Sequence, residues 1–541
     1  MNTVVDAHPA KVVTAIEQDG LSIAASFLII AIILIAPLAV IDTPLLADYP
    51  NHVARIHALS NFNDNSLLAE RYGINADLIP NIAMDIAVPW LMNWMPLDVA
   101  ARVFLASILV STLASVAWLH RTLFNQWSSY PLLAALFAYH GSLMAGMANF
   151  SFGIGLVPAA LALWIRMQDA KAIWRLLVGS LVALALFFCH LVAFGAYGLL
   201  IIGCALGRAL QQSNPRDTRQ RAVIDVTIAG ASGIPPLILF LKLALEGEGG
   251  PAAAGIVFGN VAWKLKALLA PLANYNLPLD LLSFALLAGL LLIAWLSGRL
   301  TVDRRMAPGL AMLALAFVLA PKALWTGGVF DQRLAVLLAL MMVACTRFEM
   351  PENAYFRVLP VLLALLFLTR IGVLTSTWID HRADLAEMRR AIDLVSPGAR
   401  LLVVRPDKGA GLRLAPPRHR VFHHAAQLTS LPTLAVIGKS AFVSTLYAIP
   451  GQQPLMLKPP FDRLGGRGHA DLPTLEELSF AYRQEGSRAS AASQIESWRS
   501  DFDYVVLIYG YGSGAATLIN DLPLEPLLDG EILDLFRIVK G

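Results

Sequence analysis

Long apolar runs separated by short charged clusters dominate the chain up to about residue 376. Several reach the roughly 20 residues that a helix needs to cross a bilayer. Taken between their charged punctuation they predict about eleven spans: 22–41, 99–119, 129–140, 151–165, 176–191, 192–208, 223–243, 278–298, 308–321, 333–346 and 358–375. The stretches 129–165 and 176–208 hold short or abutting runs, so re-entrant or tilted segments are expected there. The first run, SIAASFLIIAIILIAPLAVI, is too long for a signal peptide and lacks its small-residue cleavage site, so a retained span is predicted. From about residue 377 the pattern changes to that of a soluble domain. RADLAEMRRAIDLV is amphipathic, ARLLVVRP and DYVVLIYG are short buried strands, and EILDLFRIVK alternates like a closing strand.

The fold class predicted is therefore mostly α: a polytopic transmembrane bundle over 1–376, then one α/β domain over 377–541. Lysine and arginine set its orientation. With the N-terminus inside, the inner loops carry Lys11, Arg121, Arg166, Arg208, Arg299, Arg347 and their neighbours, whereas the outer loop near 141–150 has neither residue type. An odd number of spans then puts the C-terminal domain outside. Two outer segments are long, 42–98 and 246–277. The first includes PNIAMDIAVPWLMNWM, whose Trp90 and Trp94 suit a helix lying along the membrane surface. The second offers VAWKLKALLAPL as another. Segments of this size in a compact fold often serve as lids or binding elements. No fixed-period repeat is visible.

Composition agrees with this layout: 57% of the 541 residues are hydrophobic and only 15% charged. Soluble domains carry nearer a quarter charged residues. The three cysteines, Cys189, Cys204 and Cys345, all fall in predicted spans and offer no disulfide framework. A net charge of +3 says little about partners, and no nucleic acid is expected.

The candidate chemistry lies in polar residues inside or beside the apolar runs, a costly placement that usually marks a functional cavity. Asp48, His52, His140, His190, Asp331 and Arg333 all fall on the outer side under the one topology. In ADYPNHVARIHAL, residues 47–59, Pro50 suits a first helical turn, so Asp48 or Tyr49 caps a helix on which Asn51, His52 and Arg55 share a face. A carboxylate there, just after the first span, is placed to act as general base on an acceptor, with Arg55 at an anionic headgroup. Asn149 opens the span that returns from His140. Arg333 in FDQR suits a lipid-linked phosphate, with Asp331 as its own partner. Lys264, Lys266 and Arg370 are further phosphate contacts to consider, and residues 441–447 and 450–454 are candidates for acceptor recognition. Gly510–Gly514 lacks the residues of a phosphate-binding loop and reads as a flexible loop, and His419, His423 and His424 as solvated surface.

The carboxylate that opens a helix just after the first span resembles the arrangement of the GT-C superfamily of polyprenyl-phosphate-sugar glycosyltransferases. The layout is similar over nearly the whole chain: N-terminus inside, about eleven spans, a large first outer loop and an extracytoplasmic C-terminal domain. The pattern D-Y-P-N-H-x-A-R, NFSFGIGL at 149–156 and CHLVAFG at 189–195 also look like those of uncharacterised bacterial GT-C-type membrane proteins. The resemblance implies an inner-membrane enzyme with a periplasmic domain. It implies sugar transfer, hexosyl or pentosyl, from a polyprenyl-phosphate donor to a lipid, glycan or protein acceptor, inverting, with Asp48 as the base. Many members carry an acidic pair at this point, whereas here Tyr49 and Pro50 follow Asp48 and the next acid is Asp42. A divalent metal held by Asp48, His52, His140 and His190 stays open. So do two other readings, a transporter or flippase for a lipid-linked or acidic solute, and a non-catalytic scaffold. Convergence of Asp48, His140, His190 and Arg333 at the outer surface distinguishes the enzyme from both.

Overall fold

The computed structural model describes residues 20–75, 77–211, 215–246, 255–324, 328–349, 358–406, 426–465, 472–483, 495–508 and 519–540. Lys11, Arg357, His419, His423, His424 and Gly510–Gly514 lie outside them. Eight described helices are long and apolar enough to cross a membrane, from Leu21–Ala39 to Leu359–Asp393. Their outer faces expose residues such as Leu28, Ile32, Trp295 and Leu362, which in water would be a large unfavourable surface and in lipid is not. The Leu277–Leu296 helix, only 17% buried, is nearly all lipid-facing. The chain is an integral membrane protein.

The bundle is organised on two helices, Leu97–Phe124 and Ala148–Arg166, which make the most extensive pairing among the described elements. They approach closely because Gly155 has no side chain: a Cβ there would stand 2.2 Å from the Thr112 hydroxyl. Such small-residue contacts are how helices pack where lipid removes the hydrophobic driving force.

Two predicted spans differ in form. Residues 129–140 do run from one side of the bundle to the other, from Tyr130 at the Thr346 end of the Phe330–Cys345 helix to the turn that holds Ala47 and Asp48, but they hold a 3-10 helix, Tyr130–Phe137, in place of an α-helix. The 3-10 form rises about 2.0 Å per residue against about 1.5 Å in an α-helix, so a short run covers more depth. The 223–243 run is two helices, Pro215–Ser232 and Ile234–Glu246, broken at Gly233 ahead of Pro235 and Pro236. The late runs 308–321 and 333–346 form the helices Ala307–Leu319 and Phe330–Cys345, packed on one another.

The proposed domain boundary at 376 falls inside a helix, because Leu359–Asp393 runs unbroken for 35 residues. Its polar stretch Thr375–Thr377 looks like an ending, yet Trp378, His381, Leu385, Met388 and Ile392 continue the buried face. Beyond it lies a five-stranded sheet in the order 524–529, 533–538, 504–508, 400–404, 442–443. The pairs 400–404/442–443 and 400–404/504–508 are parallel, and the other two are antiparallel. Strand 504–508 is buried throughout and 400–404 nearly so, as strands covered on both faces should be. Glu387 on the long helix accepts the Ile532 and Leu533 amides, which ties the sheet's last strand to that helix. A short antiparallel pair, Tyr72–Ile74 with Leu455–Leu457, ties the first outer loop to the C-terminal region.

Candidate active site

Asp48 is the N-cap of the Tyr49–Ser60 helix, but its carboxylate makes no capping bond. An N-cap aspartate ordinarily accepts an amide from the first turn. Here Oδ1 accepts from the Tyr447 hydroxyl at 3.2 Å, across 399 residues of chain. The backbone beneath is anchored to the turn that follows His140: Ala47 and Asp48 donate to the Met144 and Ala145 carbonyls at 3.1 and 3.3 Å. That turn closes on Gly146, whose φ is +84° and whose added Cβ would lie 2.3 Å from the Asp48 nitrogen. Both conformation and space require glycine. Gly146→Ala is expected to cost more than about 1 kcal/mol and to displace Asp48. Thermal melts set beside a transfer assay check this, and wild-type values for both would show the turn to be adaptable.

Tyr447 is placed by Asn51, a residue that shares the helix with Asp48. The Asn51 side chain donates to the Thr445 carbonyl at 2.8 Å and accepts the Tyr447 amide at 2.6 Å, fully buried. The Asn51 amide thus fixes the Thr445–Tyr447 segment on the first outer helix, against which the Leu434–Lys439 helix also packs. Burial, and then the charge of Asp48, holds the Tyr447 hydroxyl well above its usual range, so it remains a donor.

Arg333 completes the arrangement from the first turn of the Phe330–Cys345 helix. It lies within electrostatic reach of Asp48, and its Nη1 is 3.2 Å from His190 Nε2. Its guanidinium also stands 5.6 Å from the Phe150 ring centre, and its Nε has no hydrogen-bond partner among the described residues. His190 and His140 meet the same ring edge-on, at 5.2 and 6.5 Å. Both histidines cap helices: His190 Nδ1 accepts the Val192 amide and His140 Nδ1 the Leu143 amide. Nδ1 therefore carries the lone pair and Nε2 the proton in each neutral ring. At His190 this brings two N–H groups, Nε2–H and an Arg333 N–H, to one place, where an anionic oxygen would satisfy both.

The same tautomer argues against a metal. His52 Nδ1 is engaged by Arg55 at 2.9 Å, so all three imidazoles have Nδ1 occupied and Nε2 protonated. Among the described residues no three His, Cys, Asp or Glu side chains are grouped to hold an ion. The residues do not fit a metal centre.

Other expected site residues have protein partners. Arg55 makes a two-pronged pair with Asp85, both bonds 2.8 Å and both side chains buried. Asn149 accepts the Met84 amide and donates to the Asn81 carbonyl, which fixes the loop before the Ala83–Leu91 helix. Asp331 does not pair with Arg333; it faces Lys264 Nζ at 3.0 Å and Trp263 Nε1 at 3.2 Å. Lys264 is thereby committed as well, and Arg370 is buried against Asp280 at 2.9 Å.

Burial first, and then the Arg55 charge, pushes the His52 imidazole from 6.5 down to about 3. The unfolded chain takes up that proton below about pH 6.5 and the folded chain only near 3, so this contribution to stability is lost as pH falls through that window. In His52→Asn the melting temperature should fall less steeply between pH 6.5 and 4. Parallel curves for the two proteins would contradict it.

No family model matches the sequence, and no curated protein matches it significantly. Solved structures do. ArnT from Cupriavidus metallidurans bound to undecaprenyl phosphate superposes with a TM-score of 0.50 at 11% identity, covering 96% of this chain and 99% of that one. The apo state of the same protein gives 0.47 at 12% identity, over 95% and 98%. At such identities the likeness is one of fold, and it runs the length of both chains. This chain shares the fold of that protein, here a polytopic helical bundle followed by a C-terminal region built on a five-stranded sheet.

Proposed function

We propose that this protein is a membrane glycosyltransferase that passes a sugar from a polyprenyl-phosphate carrier to an acceptor outside the cytoplasm. The observation that supports it most is the meeting of Asp48, Tyr447, Arg333 and His190, drawn from four distant stretches, beside the ends of membrane helices. In the reaction, Asp48 takes the proton from the acceptor's hydroxyl or amine. The acceptor atom attacks the anomeric carbon, and the bond from that carbon to phosphate oxygen breaks with its electron pair going to the phosphate. Displacement from the opposite side inverts the carbon. Arg333 and the Nε2–H of His190 neutralise the departing phosphate, an interaction that strengthens as charge develops. Tyr447 holds the carboxylate in one orientation, and Arg55, Asn149 and Asp331 position the elements that carry the site.

A fold similar to that of a protein seen with undecaprenyl phosphate supports a polyprenyl carrier. The setting proposed is an inner membrane with the C-terminal domain in the periplasm. A carrier protein would place its polar groups near the bilayer midplane. Here Asp48 follows one helix end, His190 joins two, and Arg333 opens another.

The test uses purified protein in proteoliposomes with polyprenyl-phosphate-linked pentoses and hexoses and a cell-envelope extract as acceptor. Release of free polyprenyl phosphate together with labelled acceptor is expected for one donor. Movement of an intact labelled carrier lipid between leaflets, with no release from any donor, would favour transport instead.

A further inference from the structure

The second outer segment carries charge for which the proposed reaction has no use. Its short helix, Val261–Ala267, begins where the Asn260 side chain accepts the Trp263 amide at 2.9 Å. Lys264 turns inward and is committed to Asp331 and to the Phe317 and Ala320 carbonyls. Trp263 donates from Nε1 to the same carboxylate. Two more lysines approach the Trp263 ring, Lys322 Nζ at 4.2 Å from its centre and Lys266 Nζ at 5.7 Å, so two ammonium groups converge on one indole. Among the described residues Asp331 is matched by Lys264, and no carboxylate pairs with Lys266 or Lys322. Lys266 is exposed and Lys322 half-buried, and neither ammonium nitrogen is sealed from the surface.

The ends of two membrane helices set the depth of this cluster. Lys322 follows Ala307–Leu319, and its carbonyl accepts the Phe330 amide at the start of Phe330–Cys345. Residues 323–324 pair antiparallel with 256–257, which brings the second outer segment to that level. Val261, Leu265 and Leu268, spaced at i, i+4 and i+7, form an outward apolar stripe with Phe258 just before it, and all four are exposed. Such a stripe is favourable only against lipid, and an indole flanked by lysines belongs to the headgroup layer. An ammonium is a compact charge that suits a phosphate. A zwitterionic headgroup would bring its own cation up to two lysines, whereas an anionic one would not.

We propose that Lys266, Trp263 and Lys322 bind the headgroup of an anionic phospholipid from the leaflet on the Asp48 side. Its phosphate lies at the surface against the two ammonium groups, and its acyl chains run beside Val261 and Leu265. The site stands apart from the proposed reaction: Asp331 faces Lys264 and Trp263, while Arg333, two positions later, faces His190.

The full chain in phosphatidylcholine nanodiscs tests this. Trace phosphatidylglycerol or phosphatidylcholine carries a diazirine at the start of one acyl chain, and mass spectrometry locates the labelled peptides. Phosphatidylglycerol should label residues 258–268 at least about fivefold more than phosphatidylcholine, the contribution of one lysine near a membrane surface. Lys266→Gln together with Lys322→Gln should remove that difference and leave the phosphatidylcholine labelling in place, since the apolar stripe is unchanged. Lys266→Gln alone, at the more exposed position, should lower it and decides the matter if the double variant does not fold. Equal labelling by the two lipids in the wild type overturns the proposal, as does a difference that survives in the variants. So does labelling abolished by inorganic phosphate at constant ionic strength, which marks a bare anion site, or by equimolar polyprenyl phosphate, which marks a donor site.

Discussion

Asp48→Asn is expected to lower sugar transfer by about a hundredfold to ten-thousandfold, the range general-base groups contribute, while the protein melts as the wild type does. The amide keeps the size of the carboxyl and still accepts from Tyr447, so the 3.2 Å contact survives while the base is lost. Since the side chain makes no capping bond, the helix loses nothing by the change. Donor binding should be retained, because the phosphate contacts belong to Arg333 and His190. A fall in melting temperature that tracks the loss of activity would make Asp48 a structural residue, and unchanged turnover would remove it from the mechanism.

Asp85→Ala has the largest expected effect on stability. Arg55 and Asp85 are 2% and 3% exposed and share two bonds of 2.8 Å. Removing the carboxylate leaves a guanidinium buried and opposed only by His52, at a cost of about 3–5 kcal/mol. A double variant, Arg55→Met with Asp85→Leu, should recover most of the loss, because it removes both charges and keeps the volume. Thermal unfolding in detergent measures both. If Asp85→Ala melts like the wild type, solvent reaches Arg55 and the pair is not what holds the first outer helix against Ala83–Leu91.

Much of the architecture was legible in hydropathy because a lipid environment imposes one demand, length and apolarity together. Apolarity marks a run and leaves its winding open: nothing in the pattern of residues 129–140 shows that they form a 3-10 helix. Within the site, Asp48, His190 and Arg333 stood out as costly groups beside apolar runs. Asn51, though on the predicted helix face, gave no sign of its partners, because Thr445 and Tyr447 lie nearly four hundred positions later and no periodicity encodes a meeting at that distance. Tyr447 was within a stretch singled out for acceptor recognition, but its bond to Asp48 was not foreseeable. Asp85 was hidden for the opposite reason. It reads as an ordinary charge in a surface helix, and only packing reveals that it neutralises Arg55.

The unbroken Leu359–Asp393 helix carries the last membrane span straight into the C-terminal region, with no loop between them. It is about 52 Å long, so a tilt of about 5° at its membrane root swings the far end by about 4.5 Å. A lever of that reach would carry the sheet, and Tyr447 with it, away from the carboxylate below. Bilayer thickness, which sets the lean of a long membrane rod, would then adjust how closely Tyr447 approaches Asp48.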